Sequence, residues 1–154
     1  MKAILISTFL LITFLISEWA QSDIVLVTRI IDGDTYIVQD GVESITIRLA
    51  NVDAPERAQE YGLESRLKVS NLILGKEVEL TKLSNDKYGR TIGMIYIENM
   101  RLDSIIVRNG WGWHYARYND EAMLKTCQNE AQKCKLGLWS GDNIINPEEY
   151  RHKK

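Results

Sequence analysis

The chain has few of the residues that build thiolate metal sites or disulfide scaffolds: two cysteines and two histidines in 154 residues. Neither His114 nor His152 has a second His or Cys at ligand spacing, which argues against a zinc site. Cys127 and Cys134 are seven residues apart, about 10.5 Å along a straight helix, beyond the roughly 4.4–6.8 Å that a disulfide spans. With Leu124, Ala131 and Leu138 they follow 3-4 spacing, so both read as small hydrophobes on a buried stripe. Prolines are also few, at two, and no linker, internal repeat or low-complexity stretch divides the chain. There is no surplus of positive charge either, the formal net charge being −2. That excludes holding nucleic acid by bulk electrostatics. Any such attraction must be local, weak on long duplex and sensitive to salt.

One hydrophobic run stands out. Met1-Lys2 is followed by a nearly unbroken apolar stretch from Ala3 to Ile16 and then by Ser17-Glu18-Trp19-Ala20-Gln21-Ser22. A single positive charge, an apolar run of about 7–15 residues and a small-x-small exit describe a secretory signal peptide, whereas a membrane span needs about 20. Residues 1–22 are therefore expected to be a signal removed before Asp23, with an uncleaved membrane anchor as the alternative. Either places residues 23–154 outside the cytoplasm, secreted or periplasmic, as one domain with a single core. Removing 1–22 takes away Lys2 and Glu18 and leaves the net charge unchanged.

Strands are predicted over Ile24–Ile31 and Thr35–Gln39, with Asp40-Gly41 as a hairpin signal. Ser44–Ala50 alternates, with Ile45, Ile47 and Leu49 on one face and Thr46 and Arg48 on the other. The pattern turns helical from about Gln59 to Leu74, with Leu63, Leu67, Leu74, Val69, Leu72 and Ile73 forming a broad apolar face and Gly75 as the cap. Glu77–Leu83 and Arg90–Ile97 read as strands around a polar turn, and Glu98-Asn99 as a tight hairpin. Asp103 is placed as the cap of a short helix through Arg108. Asn119 or Asp120 would cap a longer helix to about Lys135. A small twisted β-barrel with helices packed outside buries all these faces.

Three short clusters carry chemistry: Asp32-Gly33-Asp34-Thr35; Arg48 with Asp53-Ala54-Pro55-Glu56; and Asp86-Lys87-Tyr88-Gly89-Arg90. Carboxylates suited to a hard cation beside arginines suited to phosphate are what metal-assisted phosphodiester cleavage requires. Each has a plainer reading alone: Asp32-Gly33 as a turn, Arg48 as a strand-surface arginine, Arg90 as one side of a hairpin. Together they make a stronger case, because a phosphodiester gaining charge in its transition state suits planar, permanently charged forks. Ala54-Pro55 forces an extended residue at Ala54, able to present its carbonyl as a ligand. Glu56 has three open roles: metal ligand, general base, or salt-bridge partner of an arginine. Among the aromatics, Trp111 and Trp113 read as core, as does Trp139, while Tyr115 and Tyr118 divide between core and base stacking.

These motifs, with Tyr61-Gly62, Val107-Arg108-Asn109-Gly110 and Gly137-Leu138-Trp139, run in order through residues 24–141 and resemble the staphylococcal-nuclease family. The resemblance implies a five-stranded OB barrel with three helices and a calcium-dependent endonuclease cutting DNA and RNA, preferably single-stranded, to 3′-phosphate ends. No stable protein partner is implied, and a monomer is expected. By motif matching the Ca²⁺ ligands fall on Asp34, Asp53 and the carbonyl of Ala54, with Asp32 close by; the catalytic trio falls on Arg48, Glu56 and Arg90. Lys87 and Tyr88 match residues that hold a terminal phosphate, and Tyr118 matches a base-stacking tyrosine. Ala54 replaces a threonine, which matters little to a main-chain ligand. The rival expectation is a non-catalytic OB module that binds single-stranded nucleic acid or oligosaccharide. A degenerate member would be expected to lack one of these acids or arginines, and none is missing.

Overall fold

The computed structural model describes residues 22–116 and 120–153. In chain order the elements are β1 (Ser22–Ile30), β2 (Thr35–Asp40), β3 (Glu43–Leu49), β4 (Val52–Asp53), α1 (Gly62–Ile73), β5 (Glu77–Asn85), β6 (Thr91–Ile97), β7 (Met100–Arg101), α2 (Leu102–Arg108), β8 (Trp113–His114), α3 (Ala122–Lys133), a 3-10 turn (Gly137–Ser140) and α4 (Pro147–His152). Strands β3, β2, β1, β5 and β6 lie side by side in that order, and a parallel pairing of β3 with β6 closes them into a five-stranded mixed barrel. Register shifts in β1 between Val27 and Arg29, and in the β5–β6 pair between Lys82 and Ser84, bend the ribbon. Closure of so few strands needs that bending.

Alternation sets what faces inward. Tyr36, Val38, Ile47, Leu49, Leu80 and Ile95 fill the barrel, joined by Val69 and Ile73 of α1 and by Leu102, Ile106 and Val107 of α2. Each fully buried aliphatic side chain contributes about 1.5–3 kcal/mol of transfer free energy. The hairpins are where the turn residues put them, with Gly41 at φ 59° between β2 and β3 and Glu98 and Asn99 both at positive φ before β7. A second cluster forms from Trp113, Ala131, Leu138 and Trp139, the two indoles meeting edge to face at 5.0 Å. Trp113 and Trp139 are thus core residues, and Trp111 packs partly buried against the barrel cluster.

Several expectations need correction. Helix α1 begins at Gly62 and not near Gln59, because Tyr61 adopts φ 66° and residues before it form turns. Its buried stripe is narrow, Gly62, Ser65, Val69 and Ile73. Leu63, Leu67 and Leu74 stand out in solvent at 57%, 59% and 46% exposure, since one helix laid on a curved barrel touches it along a single line. Asp103 does not cap α2; Arg101 is the N-cap residue, and Asp103 lies buried in the first turn. Helix α3 starts after Glu121 and ends at Lys133. Cys134 therefore falls past the helix and is exposed, while Cys127 is buried, and both are free thiols. Asn119 lies outside the described residues. Helix α4 is a fourth helix where three were expected. Among the described residues no helix is long and apolar enough to cross a membrane, and residues 1–21 are outside them.

Candidate active site

The three clusters converge on one open cleft of about 920 Å³ beside the barrel. Asp34 ends the loop from β1 to β2. Its carbonyl accepts from Leu49 N at 2.8 Å, and its carboxylate accepts from Thr35 Oγ1 at 2.9 Å and from the Ala54 amide at 2.7 Å. Gly33 is required by close approach: a Cβ there would stand 2.3 Å from Ser65 Oγ and 2.6 Å from Ala54 Cβ. Asp53 sits on β4, which β8 holds through the pairs Val52 with His114 and Asp53 with Trp113. The preceding Asn51, at φ 62°, donates from Nδ2 to Asp103 at 3.1 Å. Arg101 in turn forks onto Asp103 and Glu121. The rim of the site is thus tied to α2 and α3.

Arg48 emerges from the outer face of β3, as the alternation requires. Its Nη1 donates to the carbonyls of Leu49 and Val52, both at 2.6 Å, and its Nη2 lies 3.2 Å from Asp34 Oδ2 and 3.1 Å from Asp53 Oδ1. Burial lowers its affinity for the proton, but the surrounding carboxylates of Asp34, Asp53 and Asp32 outweigh it and raise the pKa. Glu56 follows Pro55, and its backbone packs on the start of α1: a Cβ on Gly62 would stand 2.0 Å from the Glu56 carbonyl oxygen. Its amide donates to Gln59 Oε1 at 3.1 Å.

The opposite wall comes from the β5–β6 turn. Asp86 accepts from the amides of Tyr88 and Arg90 at 2.9 and 3.0 Å and from Arg90 Nε at 2.7 Å. Burial opposes ionisation of Asp86, but these bonds outweigh it and hold the carboxyl below its usual range. Lys87 Nζ and the Arg90 guanidinium flank the exposed Tyr88 ring at 5.0 and 5.6 Å. Tyr115 also lines the cleft. Tyr118 lies outside the described residues.

The acids are crowded. Burial, then the charge of Asp34, pushes Asp32 up to about 7, and burial also raises Asp53 despite its arginine partners. Among the described residues no three Asp, Glu, His or Cys side chains gather as a ready metal-binding group, and guanidiniums stand among the carboxylates. Yet Asp34 and Asp53 both turn an oxygen toward one cationic nitrogen of Arg48, and both are buried, at 5% and 1% exposure. Arg48 fills that shared position, so a hard cation held by these carboxylates would use their remaining oxygens and take its other ligands from backbone carbonyls and water. At Ala54, the amide N–H bonds Asp34.

One residue of the cleft was missed entirely. Arg151 of α4 reaches Asp53 Oδ2 at 2.9 Å, Asp53 Oδ1 at 3.2 Å and Glu56 Oε1 at 2.8 Å. Of the three roles open for Glu56, the ion-pair contact is the one made here. A signal for α4 existed: Asn146, whose side chain accepts from Glu148 N, followed by Pro147 and two glutamates, is a helix start.

Comparison with known proteins matches residues 46–141 to the family described as staphylococcal nuclease homologue. The chain is 41% identical over 129 residues to an uncharacterized endonuclease of Escherichia coli O157:H7, covering 83% of this chain and 84% of that protein. It is 32% identical over 154 residues to an uncharacterized endonuclease of Haemophilus influenzae, covering 99% and 86%. It is also 35% identical over 136 residues to a micrococcal nuclease of Shigella flexneri, covering 81% and 78%.

Proposed function

The chain belongs to the staphylococcal-nuclease family, and on that premise we propose that it is an exported, calcium-dependent endonuclease cutting DNA and RNA, preferably single-stranded, to 3′-phosphate ends. Its being a nuclease follows from the family. The observation that carries the finer reading is the convergence of the buried Asp34 and Asp53 carboxylates, with Arg48 between them, Glu56 on the same cleft and Arg90 across it. Asp34, Asp53 and the Ala54 carbonyl would hold the cation. Bound there, Ca²⁺ would supply Lewis-acid polarisation of the scissile phosphate and of a water.

The chain's own groups do the rest. Glu56, on the cleft rim and partly exposed, takes or orients the proton of the attacking water. Arg48, fixed by two backbone carbonyls, presents permanent charge to the phosphate without needing to reorganise. Arg90 faces it from the other wall, oriented through its Nε by Asp86. Lys87 and Tyr88 are suited to a terminal phosphate at the mouth. Residues 1–22 supply export in this reading, and the enzyme acts as a monomer.

Cleavage of denatured DNA by the purified protein, with calcium and with excess chelator, alongside Glu56→Ala, tests it. Calcium-dependent cleavage leaving 3′-phosphates and lost in the variant is expected. A folded protein that binds single strands and cuts nothing would overturn the reaction and leave a binding module.

A further inference from the structure

The grip of Arg151 on the acidic cluster lies beyond the matched residues, which end at 141. Its fork covers both oxygens of Asp53 and reaches Glu56 as well. A hard cation binds carboxylate oxygens at about 2.3–2.6 Å, so it cannot share that edge of Asp53 with a guanidinium already seated there. One of the two arginines on Asp53 must yield. Arg48 is fastened by the Leu49 and Val52 carbonyls and is only 15% exposed along its side chain. Arg151 is 42% exposed, and every contact of its guanidinium given above is to a carboxylate. It rides on a six-residue helix near the chain end, which Tyr150 Oη to Ala58 O at 3.1 Å, the Gln59 side chain on Ile145 O, and buried Pro147 would still tether.

We propose that Arg151 is a displaceable counter-ion, which occupies Asp53 in the metal-free enzyme and competes with the divalent cation, so that cation binding frees the end of α4 from the cleft. This rests on the metal reading above. The single positive charge of Arg151 offsets part of the negative charge of Asp53 and Glu56 while no cation is present, and a doubly charged ion replaces it. By linkage, whatever factor Arg151 takes from cation affinity, the cation takes from the hold of Arg151 on Asp53.

The test is calorimetric titration of Ca²⁺ into wild type, Arg151→Gln, Arg151→Lys and Lys153→Gln, with hydrogen exchange of residues 148–153 with and without Ca²⁺. Arg151→Gln is expected to bind about tenfold tighter or more, within the usual range of such couplings. Arg151→Lys should fall between it and wild type, and Lys153→Gln, which removes the same charge from the same helix end, should match wild type. Ca²⁺ should speed exchange in α4 of the wild type. Equal or weaker binding by Arg151→Gln, with wild type binding Ca²⁺ normally, overturns the competition and leaves the metal reading standing. Equal tightening in Lys153→Gln overturns the specific contact in favour of bulk charge, and unchanged α4 exchange overturns the release. Absence of Ca²⁺ binding in wild type and Arg151→Gln alike overturns both readings.

Discussion

Replacing Arg48 by lysine separates two jobs that the structure assigns to one side chain. From the sequence, Arg48→Lys is expected to lose far more activity than stability, as befits a phosphate clamp on a strand surface. The structure changes that expectation. Nη1 donates to the Leu49 and Val52 carbonyls at 2.6 Å while Nη2 faces Asp34 and Asp53, and an ammonium is a single point that cannot span both sets. Hydrogen bonds to charged groups contribute about 1.5–3 kcal/mol each. Losing one or two, less what the ammonium regains, gives about 2–4 kcal/mol. Urea unfolding in chelator should register that loss. Cleavage, measured where both proteins are folded, should fall about a hundredfold or more, the cost of removing one preorganised charge donor. A stability loss under about 1 kcal/mol would refute the role of Nη1 as a fastening of the β3–β4 connection. Unchanged turnover would refute the clamp.

Three further outcomes follow from the same geometry. Gly62→Ala puts a methyl against the Glu56 carbonyl oxygen, 2.0 Å from the ideal Cβ, so Glu56 must shift; a kcat loss of tenfold or more is expected, and a variant with wild-type kcat would show that Glu56 needs no such positioning. Asp32 keeps its proton to about pH 7 when folded but ionises near 3.8 when unfolded; an acid raised in the folded state makes stability fall as pH rises, so between pH 4 and 7 wild type should lose up to about 1.4 kcal/mol per pH unit relative to Asp32→Asn in metal-free urea titrations. Parallel curves for the two would exclude that proton. Arg101→Ala leaves Asp103, 3% exposed along its side chain, as a buried carboxylate without its fork; a loss of about 3 kcal/mol in denaturant is expected, and a loss within 0.5 kcal/mol, the ordinary surface range of about that size, would demote the network to decoration.

The barrel was legible because its strands alternate cleanly: Ile45, Ile47 and Leu49 against Thr46 and Arg48 fix both the inward face and the direction of Arg48. Turn chemistry marked the hairpins for a similar reason, since Gly41 and Asn99 are residue types that accept the positive φ these turns require. What failed was whatever depends on partners distant in sequence. The leucines of α1 have helical spacing, but spacing does not say that a convex barrel touches only the Ser65, Val69 and Ile73 line. Strands β4 and β8 have two residues each, too short for any periodicity, yet their pairing holds Asp53 in place. Asp103 sits at a plausible cap position, and its burial with Arg101, Glu121 and Asn51 arises from residues up to 52 apart in sequence.

The arginines at the cleft show why residue type alone left the site half-read. Arg48 is held through Nη1 by two backbone carbonyls as well as through Nη2 by Asp34 and Asp53. Arg90 is oriented through Nε by a carboxylate that its own turn supplies, Asp86, four residues before it. Arg151 is held by Asp53 and Glu56, the very groups the proposed chemistry needs. A guanidinium with backbone fastenings keeps those when the acids change partners, so it suits a transition state that must find its stabiliser already in place. One fixed by the acids follows their state and leaves when a stronger cation arrives. The same side chain therefore serves as clamp or as stopper according to what its hydrogens are spent on, and the contacts of each guanidinium, more than its distance from the phosphate site, decide which variants should fail in turnover and which in cation affinity.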